Sequence, residues 1–146
     1  MAMNILDLIK QDHEKTLKAL DDIRSISTRT TGLRDRPWVL LERDLLRHMH
    51  GEEAIFYPSL GGTIRDKILE AVEEHNLVKV LIKQMDDIPT DEEVWTAKLR
   101  VMTENIRHHI QEEEGPVFRA ARDSFSQEEL EDMGIRFEVA KETVRR

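Results

Sequence analysis

Two stretches of the sequence each carry a histidine that is followed four residues later by a glutamate. His48 stands before Glu52, His109 stands before Glu113, and each glutamate opens an acidic pair. An aromatic residue follows nine positions after each histidine. On a helix, residues four apart lie on one face, one turn from each other. Each stretch would therefore present an imidazole and a carboxylate side by side, which is how a helix offers two ligands to one metal ion.

Two further histidines make this arrangement an internal repeat. His13 precedes His75 by 62 positions, and His48 precedes His109 by 61 positions. An acidic residue stands directly before both His13 and His75. Two halves, each with one histidine and then a His-x-x-x-Glu pair, predict a bundle with pseudo-two-fold symmetry.

The repeat also decides between two registers of the second stretch. His108 and Glu112 have the same spacing, but aligning them with the first stretch loses the aromatic match and moves His108 off the apolar face. We therefore expect His50 and His108 to lie near the surface. Glu53, Glu112 and Glu114 are expected in solvent or beside the histidines, where they would orient the rings.

Six residues are the candidate metal ligands: His13, His48, Glu52, His75, His109 and Glu113. Burying them in one core is costly, because an unpaired carboxylate there is strongly destabilising or takes up a proton. A metal ion removes that cost, since neutral imidazole and ionised carboxylate are suitable ligands. Six ligands exceed the needs of one tetrahedral zinc and suit two ions, with Glu52 and Glu113 bridging them. In a chain without cysteine, this set suits iron or manganese, and zinc remains chemically possible.

A diiron site of the ferritin type is the familiar alternative in a helical bundle. Ferritin-like bundles use a Glu-x-x-His motif. None of the six histidines of this chain has a glutamate three residues before it. The order here is reversed, with histidine first, so the ferritin motif is absent.

The elements that must position these residues are predicted to be five helices, with no sheet. The first helix runs from about Asn4 to Ile26, and the second from Pro37 to about Tyr57. The third would be capped by Thr63 and end near Asp87. The fourth opens with a capping box at 90–93 and reaches Gly115-Pro116, where it would kink and continue to about residue 121. A second capping box, at 126–129, opens a short fifth helix.

Each of the first four helices carries an apolar stripe with steps of three and four residues. The stripes are Leu6, Ile9, His13, Thr16, Leu20 and Ile23; Trp38, Leu41, Leu45, His48, Glu52 and Ile55; Ile64, Ile68, Ala71, His75, Val78, Ile82 and Met85; and Trp95, Leu99, Met102, Ile106, His109, Glu113 and Val117. This pattern predicts an all-α protein, an antiparallel up-down four-helix bundle with a short C-terminal helix. Each stripe carries one histidine near its middle.

Length and composition limit the classes of function. We expect 146 residues to form one domain, with the bundle at about 4–121 and the C-terminal helix at about 126–146. The net charge of −8 argues against nucleic acid and anionic membranes as partners. Absence of cysteine agrees with a reducing cytoplasm, and the apolar patch near Ile5 is interrupted by Asp7, unlike a signal peptide. In the last helix, Phe137, Val139 and Val144 could cover the bundle or pair two copies as a homodimer.

At these residues the chain resembles the hemerythrin-like family, also called the HHE cation-binding domain. The matching pieces are Asp12-His13-Glu14, the run from His48 to Pro58, Glu74-His75, and the run from His109 to Glu114. The resemblance covers nearly the whole chain. It implies a four-helix bundle holding an oxo- or hydroxo-bridged pair of iron ions. It also implies terminal ligands at the four stripe histidines and bridging carboxylates at Glu52 and Glu113.

One position departs from the family pattern. The oxygen carriers of the family have a further histidine on the third helix, one turn from the first. Here Ala71 and Lys79 stand one turn on either side of His75, with Val78 on the same face. One ligand is therefore missing, or is replaced by water, another carboxylate or another residue. This difference argues against simple reversible oxygen carriage and favours reactivity, iron handling or sensing.

The resemblance implies three functions that we weigh against each other. The first is binding of oxygen or a related small ligand, nitric oxide or peroxide, with two-electron oxidation of a diferrous pair. The ligand would lie in a dry pocket lined by Leu45, Ile55, Ala71, Val78, Met102 and Ile106. The second is a catalase-like enzyme that decomposes peroxide at the same centre. The third is a metal-dependent interaction or sensor module, or an iron-handling protein.

Overall fold

The computed structural model describes residues 3–62 and 64–144, which form helices joined by short loops. The helices are α1 (Ile5–Ser25), α2 (Asp35–Gly51), α3 (Tyr57–Ser59), α4 (Arg65–Asp86), α5 (Glu93–Glu112), α6 (Phe118–Ser124) and α7 (Gln127–Glu142), with π-helical segments π1 (Glu52–Phe56) and π2 (Glu113–Val117). The segment π1 joins α2 to α3 without a break, and π2 joins α5 to α6. The predicted all-α bundle of four helices with a short fifth is confirmed.

The four long helices form a closed ring of neighbours. Helix α1 packs against α2 and α5, and α4 packs against the same two helices from the other side. Successive members of the ring run in opposite directions. Helix α7 lies outside the ring, against α1, α2 and π1. Within the described ranges, none of the helices has the length and apolar character that a membrane crossing requires.

The two predicted capping boxes can be compared with the structure. Ser126 closes a capping box with Glu129, as predicted, because each side chain binds the other residue's backbone amide. The predicted capping box at Thr90 is wrong. The Thr90 hydroxyl donates to Asp35 Oδ1 at 2.8 Å, and α5 begins at Glu93 without a side-chain cap. The predicted cap at Thr63 lies outside the described residues.

The core consists of two apolar clusters with a polar layer between them. The Trp cluster comprises Leu20, Ile23, Trp38, Leu41, Leu45, Met49, Val78, Ile82, Met85, Trp95, Leu99, Met102, Ile106 and Ile110. The Phe cluster comprises Ile5, Leu6, Ile9, Phe56, Tyr57, Leu60, Ala71, Val117, Phe118, Ala121, Leu130, Met133 and Phe137. On α1 and α4, the stripe histidine separates residues of one cluster from residues of the other. On α2 and α5, the Trp cluster extends one residue past the histidine, to Met49 and Ile110, and the Phe cluster begins in the segments that follow. The predicted stripes are buried, apart from Ile55, Ile64 and Ile68, which are half-buried.

Candidate metal centre

The structure brings all six predicted ligands together in the polar layer. One group consists of His13, His48, Glu52 and Glu113, and the other consists of Glu52, His75 and His109. Within each group, one nitrogen or oxygen atom per residue lies within 4.8 Å of all the others. Every member is buried. Since Glu52 belongs to both groups, the two groups form one continuous centre.

Four atoms at this centre face each other without forming hydrogen bonds. Among the described residues, His13 Nε2, His48 Nε2, Glu52 Oε2 and Glu113 Oε1 are buried and have no hydrogen-bond partner. His13 Nε2 lies 3.0 Å from Glu113 Oε1, and His48 Nε2 lies 3.2 Å from the other oxygen of Glu52, Oε1. Buried polar atoms of this kind are costly unless something binds them. Imidazole nitrogen and carboxylate oxygen are ligands for divalent and trivalent metals, so the residues fit a metal ion.

An outer ring of carboxylates holds the four histidines. Each Nδ1 faces one carboxylate oxygen: His13 faces Glu114 at 2.7 Å, His48 faces Asp12 at 2.8 Å, His75 faces Glu53 at 2.7 Å, and His109 faces Glu74 at 2.7 Å. With Nδ1–H donating to the carboxylate, Nε2 keeps its lone pair for a metal ion. The predicted orienting role of Glu53 and Glu114 agrees with these contacts, whereas Asp12 and Glu74 were not predicted. The sequence feature that could have identified Asp12 and Glu74 is their position directly before His13 and His75.

The charges of the layer favour the protonated forms of His48 and His109 when no metal ion is bound. Burial disfavours a charge on His48, but the carboxylates of Glu52 and Asp12 outweigh it and raise the pKa of His48 to about 10. At His109, burial is again outweighed, chiefly by Glu113, and the pKa rises to about 12. A metal ion binds neutral imidazole and would displace these protons.

Tyr57 reaches the second group of ligands, although sequence analysis did not assign it to the site. Its hydroxyl donates to Glu113 and lies 3.2 Å from Glu52 Oε1. The Tyr57 hydroxyl oxygen also lies 3.4 Å from the Nε2 atoms of both His75 and His109. Burial and the two carboxylates raise the pKa of Tyr57, so the phenol keeps its proton in the absence of a metal ion. Tyr57 thus brings an oxygen to the half of the centre where one ligand was expected to be missing or replaced.

The segment π1 is the reason that Tyr57 faces the centre. The Tyr57 amide donates to the carbonyl of Glu52, five residues earlier, as in a π-helix. In an α-helix, residues five apart would point about 140° away from each other. The wider turn brings Glu52 and Tyr57 onto one face. The second segment, π2, likewise begins at the other predicted bridging residue, Glu113.

A small cavity adjoins the histidines on the side of the Trp cluster. Its volume is about 30 Å³, and its surface is almost entirely apolar. It is lined by His13, Thr16, Leu45, His48, Met49, Glu74, His75, Val78, Asn105, Ile106, His109 and Ile110. Of the predicted pocket residues, Leu45, Val78 and Ile106 line it, whereas Ile55, Ala71 and Met102 do not. One water needs about 10–15 Å³ on this scale, so the cavity suits a ligand of about two non-hydrogen atoms.

The residues placed outside the centre by sequence analysis lie outside it in the structure. The His108 side chain is 65% exposed. His50 is exposed and lies 3.3 Å from the hydroxyl of Thr143. Glu112 pairs with Lys67 at 3.1 Å. The register that aligns His109 with His48 is therefore the one that the fold buries.

Comparisons with known proteins point to one family. The family model described as the hemerythrin HHE cation binding domain matches residues 4–121. The chain is 28% identical over 144 residues to an uncharacterized hemerythrin-like protein of Schizosaccharomyces pombe, covering 96% of this chain and 70% of that protein. It is 24% identical over 143 residues to a DNA nickase of Nostoc sp., covering 97% of this chain but only 40% of that protein. The crystal structure of an HHE cation binding domain-containing protein from Mycobacterium kansasii superposes with a TM-score of 0.83 at 20% identity, covering 97% of this chain and 86% of that one.

Proposed function

Because the chain belongs to the hemerythrin HHE cation-binding domain family, we propose that it is a non-haem diiron protein. Its ligand under this proposal is oxygen or a related small molecule, nitric oxide or peroxide, and its role is sensing, storage or the handling of oxidative stress. The observation that carries the proposal is the set of four buried ligand atoms that face one another without hydrogen bonds. A pair of metal ions accounts for that arrangement, and packing alone does not.

The two groups of side chains would each hold one iron ion, with Glu52 and Glu113 between the ions. Iron would supply the electrons that reduce a bound ligand. The outer carboxylates hold each imidazole with Nε2 directed at the centre. The absence of thiolate and the presence of the Tyr57 oxygen favour iron over a softer metal.

The cavity beside the histidines limits the size of the ligand. About 30 Å³ of mostly apolar space accommodates a diatomic molecule or peroxide, and not a larger substrate. An apolar lining also keeps water away from the bound ligand. Leu45, Val78 and Ile106 are the residues of the lining that sequence analysis had placed there.

Peroxide decomposition is the second candidate, and Tyr57 is the observation that favours it. Breaking the O–O bond of peroxide to give water requires protons at the departing oxygen. The Tyr57 phenol donates into the centre, toward Glu113, and is buried with it. A catalase-like enzyme requires a proton donor at this position for O–O cleavage, whereas a reversible carrier does not cleave that bond. Oxygen evolution on addition of peroxide would distinguish the two, since a carrier would only be oxidised.

Metal analysis and the ultraviolet-visible spectrum of protein purified in air test the proposal. We expect about two irons per chain after expression in iron-replete medium, with near-ultraviolet charge-transfer bands of an oxo-bridged pair. Titration with oxygen, nitric oxide and peroxide would then identify the ligand. Zinc alone in iron-replete protein would rule out the redox function while leaving the metal site. Protein without any bound metal would overturn the proposal.

We do not extend DNA nicking to this chain. The chain spans 40% of the length of the Nostoc nickase, so the match does not carry the activity of that whole protein over to this chain. The net charge of −8 also opposes binding to a polyanion.

A further inference from the structure

Helix α7 makes a direct hydrogen-bonded connection to one half of the metal centre. The Lys141 ammonium donates to Asp12 Oδ2 at 2.8 Å and to Oδ1 at 3.1 Å. Asp12 Oδ2 in turn lies 2.8 Å from Nδ1 of His48. The Lys141 and Asp12 side chains are only 18% and 16% exposed. Water and salt therefore screen this ion pair much less than a pair on the open surface.

Close packing keeps α7 in place at this point. The fully buried Phe137 ring meets the His48 ring edge-on, with 5.9 Å between centroids, and Lys141 Nζ lies 5.1 Å from the centre of the same phenylalanine ring. The neighbouring residue on α2 is Gly51, directly before Glu52. A Cβ atom on Gly51 would lie 2.7 Å from Phe137 Cε1, so only glycine allows this approach.

The other half of the centre has only a longer and more exposed counterpart of this contact. Glu53, which holds His75, lies 3.5 Å from Lys79 Nζ, and the Lys79 side chain is 42% exposed. By the internal repeat, Glu74 corresponds to Asp12 and holds His109 as Asp12 holds His48. In the described part of the chain, Glu74 pairs with His109 and with the exposed His108 at 3.6 Å, and with no lysine or arginine. The two halves therefore match in their histidines and carboxylates. They differ in that the Lys141–Asp12 pair is shorter and more buried than the Lys79–Glu53 pair, and in that Glu74 lacks a lysine partner among the described residues.

We propose that Lys141 is a positioning residue for the His13–His48 half of the centre, and that it couples the docking of α7 to metal binding in that half. The inference rests on the diiron function proposed above. Lys141 fixes the Asp12 carboxylate, and Asp12 fixes the His48 ring with Nε2 directed at the centre. Because such coupling is reciprocal, a metal ion in this half stabilises the docked α7, and loss of Lys141 weakens the binding of that ion.

Co²⁺ titration of the full-length chain, with one half of the centre disabled, tests the positioning role. His109→Ala leaves the His13–His48 half, and His48→Ala leaves the other half. We expect Lys141→Met to weaken Co²⁺ binding by about tenfold or more in His109→Ala protein, as for other residues that orient a ligand. The same change should leave Co²⁺ affinity in His48→Ala protein unaltered.

Two further variants separate positioning from a general loss of charge. Lys67→Met removes a surface ion pair with Glu112 and should change Co²⁺ affinity in neither background. Lys141→Arg should restore the affinity, because a cleft of about 260 Å³ beside Asp12 has room for the longer side chain.

Hydrogen exchange tests the coupling without any change to the metal ligands. We expect Co²⁺ to slow amide exchange in α7 at least severalfold in the unaltered chain, and not in Lys141→Met protein whose circular dichroism shows an intact fold. An equal loss of affinity in both backgrounds, or unchanged exchange and affinity in Lys141→Met protein, would overturn this inference and leave the diiron function standing. If the unaltered chain itself fails to bind Co²⁺ and iron, the diiron function falls, and this inference falls with it.

Discussion

Each histidine of the centre uses its two ring nitrogens for different purposes. Nδ1 lies 2.7–2.8 Å from a carboxylate oxygen, and Nε2 points at the centre. The carboxylate fixes the orientation and the tautomer of the ring, and this leaves one nitrogen for a metal ion. His50 and His108 have no such arrangement, because they lie at the surface. Residue type alone therefore does not identify a candidate ligand. The position of a histidine on the apolar stripe of its helix does.

Single substitutions test this distinction between histidines. We expect His109→Ala and Glu113→Ala each to lose at least about one of two bound irons, because each removes a buried ligand atom. His108→Ala and His50→Ala should retain both ions. The measurement is the ratio of metal to protein, with circular dichroism as the check on folding. Equal metal loss in His108→Ala would show that the second stretch has the other register.

Tyr57 can be tested by removing one atom. Tyr57→Phe keeps a ring that stacks on His75, with 5.6 Å between centroids, and deletes the phenol oxygen. We expect the iron-loaded variant to fold and to decompose peroxide about 100-fold more slowly, the range for a lost proton donor. If its turnover matches that of the unaltered protein, Tyr57 serves only the packing of the centre.

At the level of the helices, periodicity predicts the inward faces well but does not reveal the π-helical segments. Steps of three and four residues locate a stripe, and a π turn shifts that stripe by one residue. The consequence is visible at Ile55, which was predicted to face the core and is half-buried, whereas the next residues, Phe56 and Tyr57, are buried. A replacement for the missing third-helix histidine was expected near His75, whereas the oxygen that lies 3.4 Å from His75 Nε2 belongs to Tyr57, on a different helix.

Helix α7 shows a second limit of the sequence. Its apolar residues predicted either a cover for the bundle or a dimer contact. Phe137 is fully buried against the bundle, whereas Val139 is 60% exposed, so α7 does cover the bundle. The contact between Asp12 and Lys141 spans 129 positions of the chain. No local pattern can predict a pair at that separation, because it depends on how the fifth helix docks.

The close contact between α7 and α2 at Gly51 predicts how a substitution there changes stability. In Gly51→Ala, the new methyl group would lie within 2.8 Å of two Phe137 ring atoms. We expect a loss of about 1–3 kcal/mol in the free energy of unfolding, as for other overpacked contacts, measured by urea denaturation. Gly115→Ala is the matched control, because its Cβ would meet no atom within 4 Å. A neutral Gly51→Ala would mean that α7 does not pack tightly at this point.

At the level of the whole molecule, a charged layer crosses the core between two apolar clusters. Burial of these charges is unfavourable unless each has a partner of opposite charge or a hydrogen bond. Without a metal ion, protons on His48, His75 and His109, whose pKa values are raised, offset the carboxylates. With metal ions, the same carboxylates would have cations of higher charge as partners. The charged layer is therefore compensated in both states. The stability of the metal-free protein and the stability gained from metal binding depend on pH in opposite directions.

We expect the Tm of metal-free protein to fall by several degrees between pH 6.5 and about 10. The folded state raises the pKa of His48 from 6.5 to about 10, so its protonated form stabilises the fold fully below pH 6.5. That contribution is lost as the pH rises through the folded-state pKa. Scanning calorimetry of chelator-treated protein at several pH values would measure the trend.

In metal-loaded protein, the Tm should instead rise with pH over the lower part of the range from pH 6.5 to about 10. Metal ions bind neutral imidazole, so protons compete with them, and metal affinity rises as the pH rises. Because metal binding stabilises only the folded chain, the difference in Tm between loaded and metal-free protein should widen toward alkaline pH. Calorimetric titration with Co²⁺ in two buffers of different ionisation enthalpy would count the protons released. Release of no protons at pH 7 would contradict the raised pKa values of His48 and His109, and with them the pairing of each ring with its carboxylates.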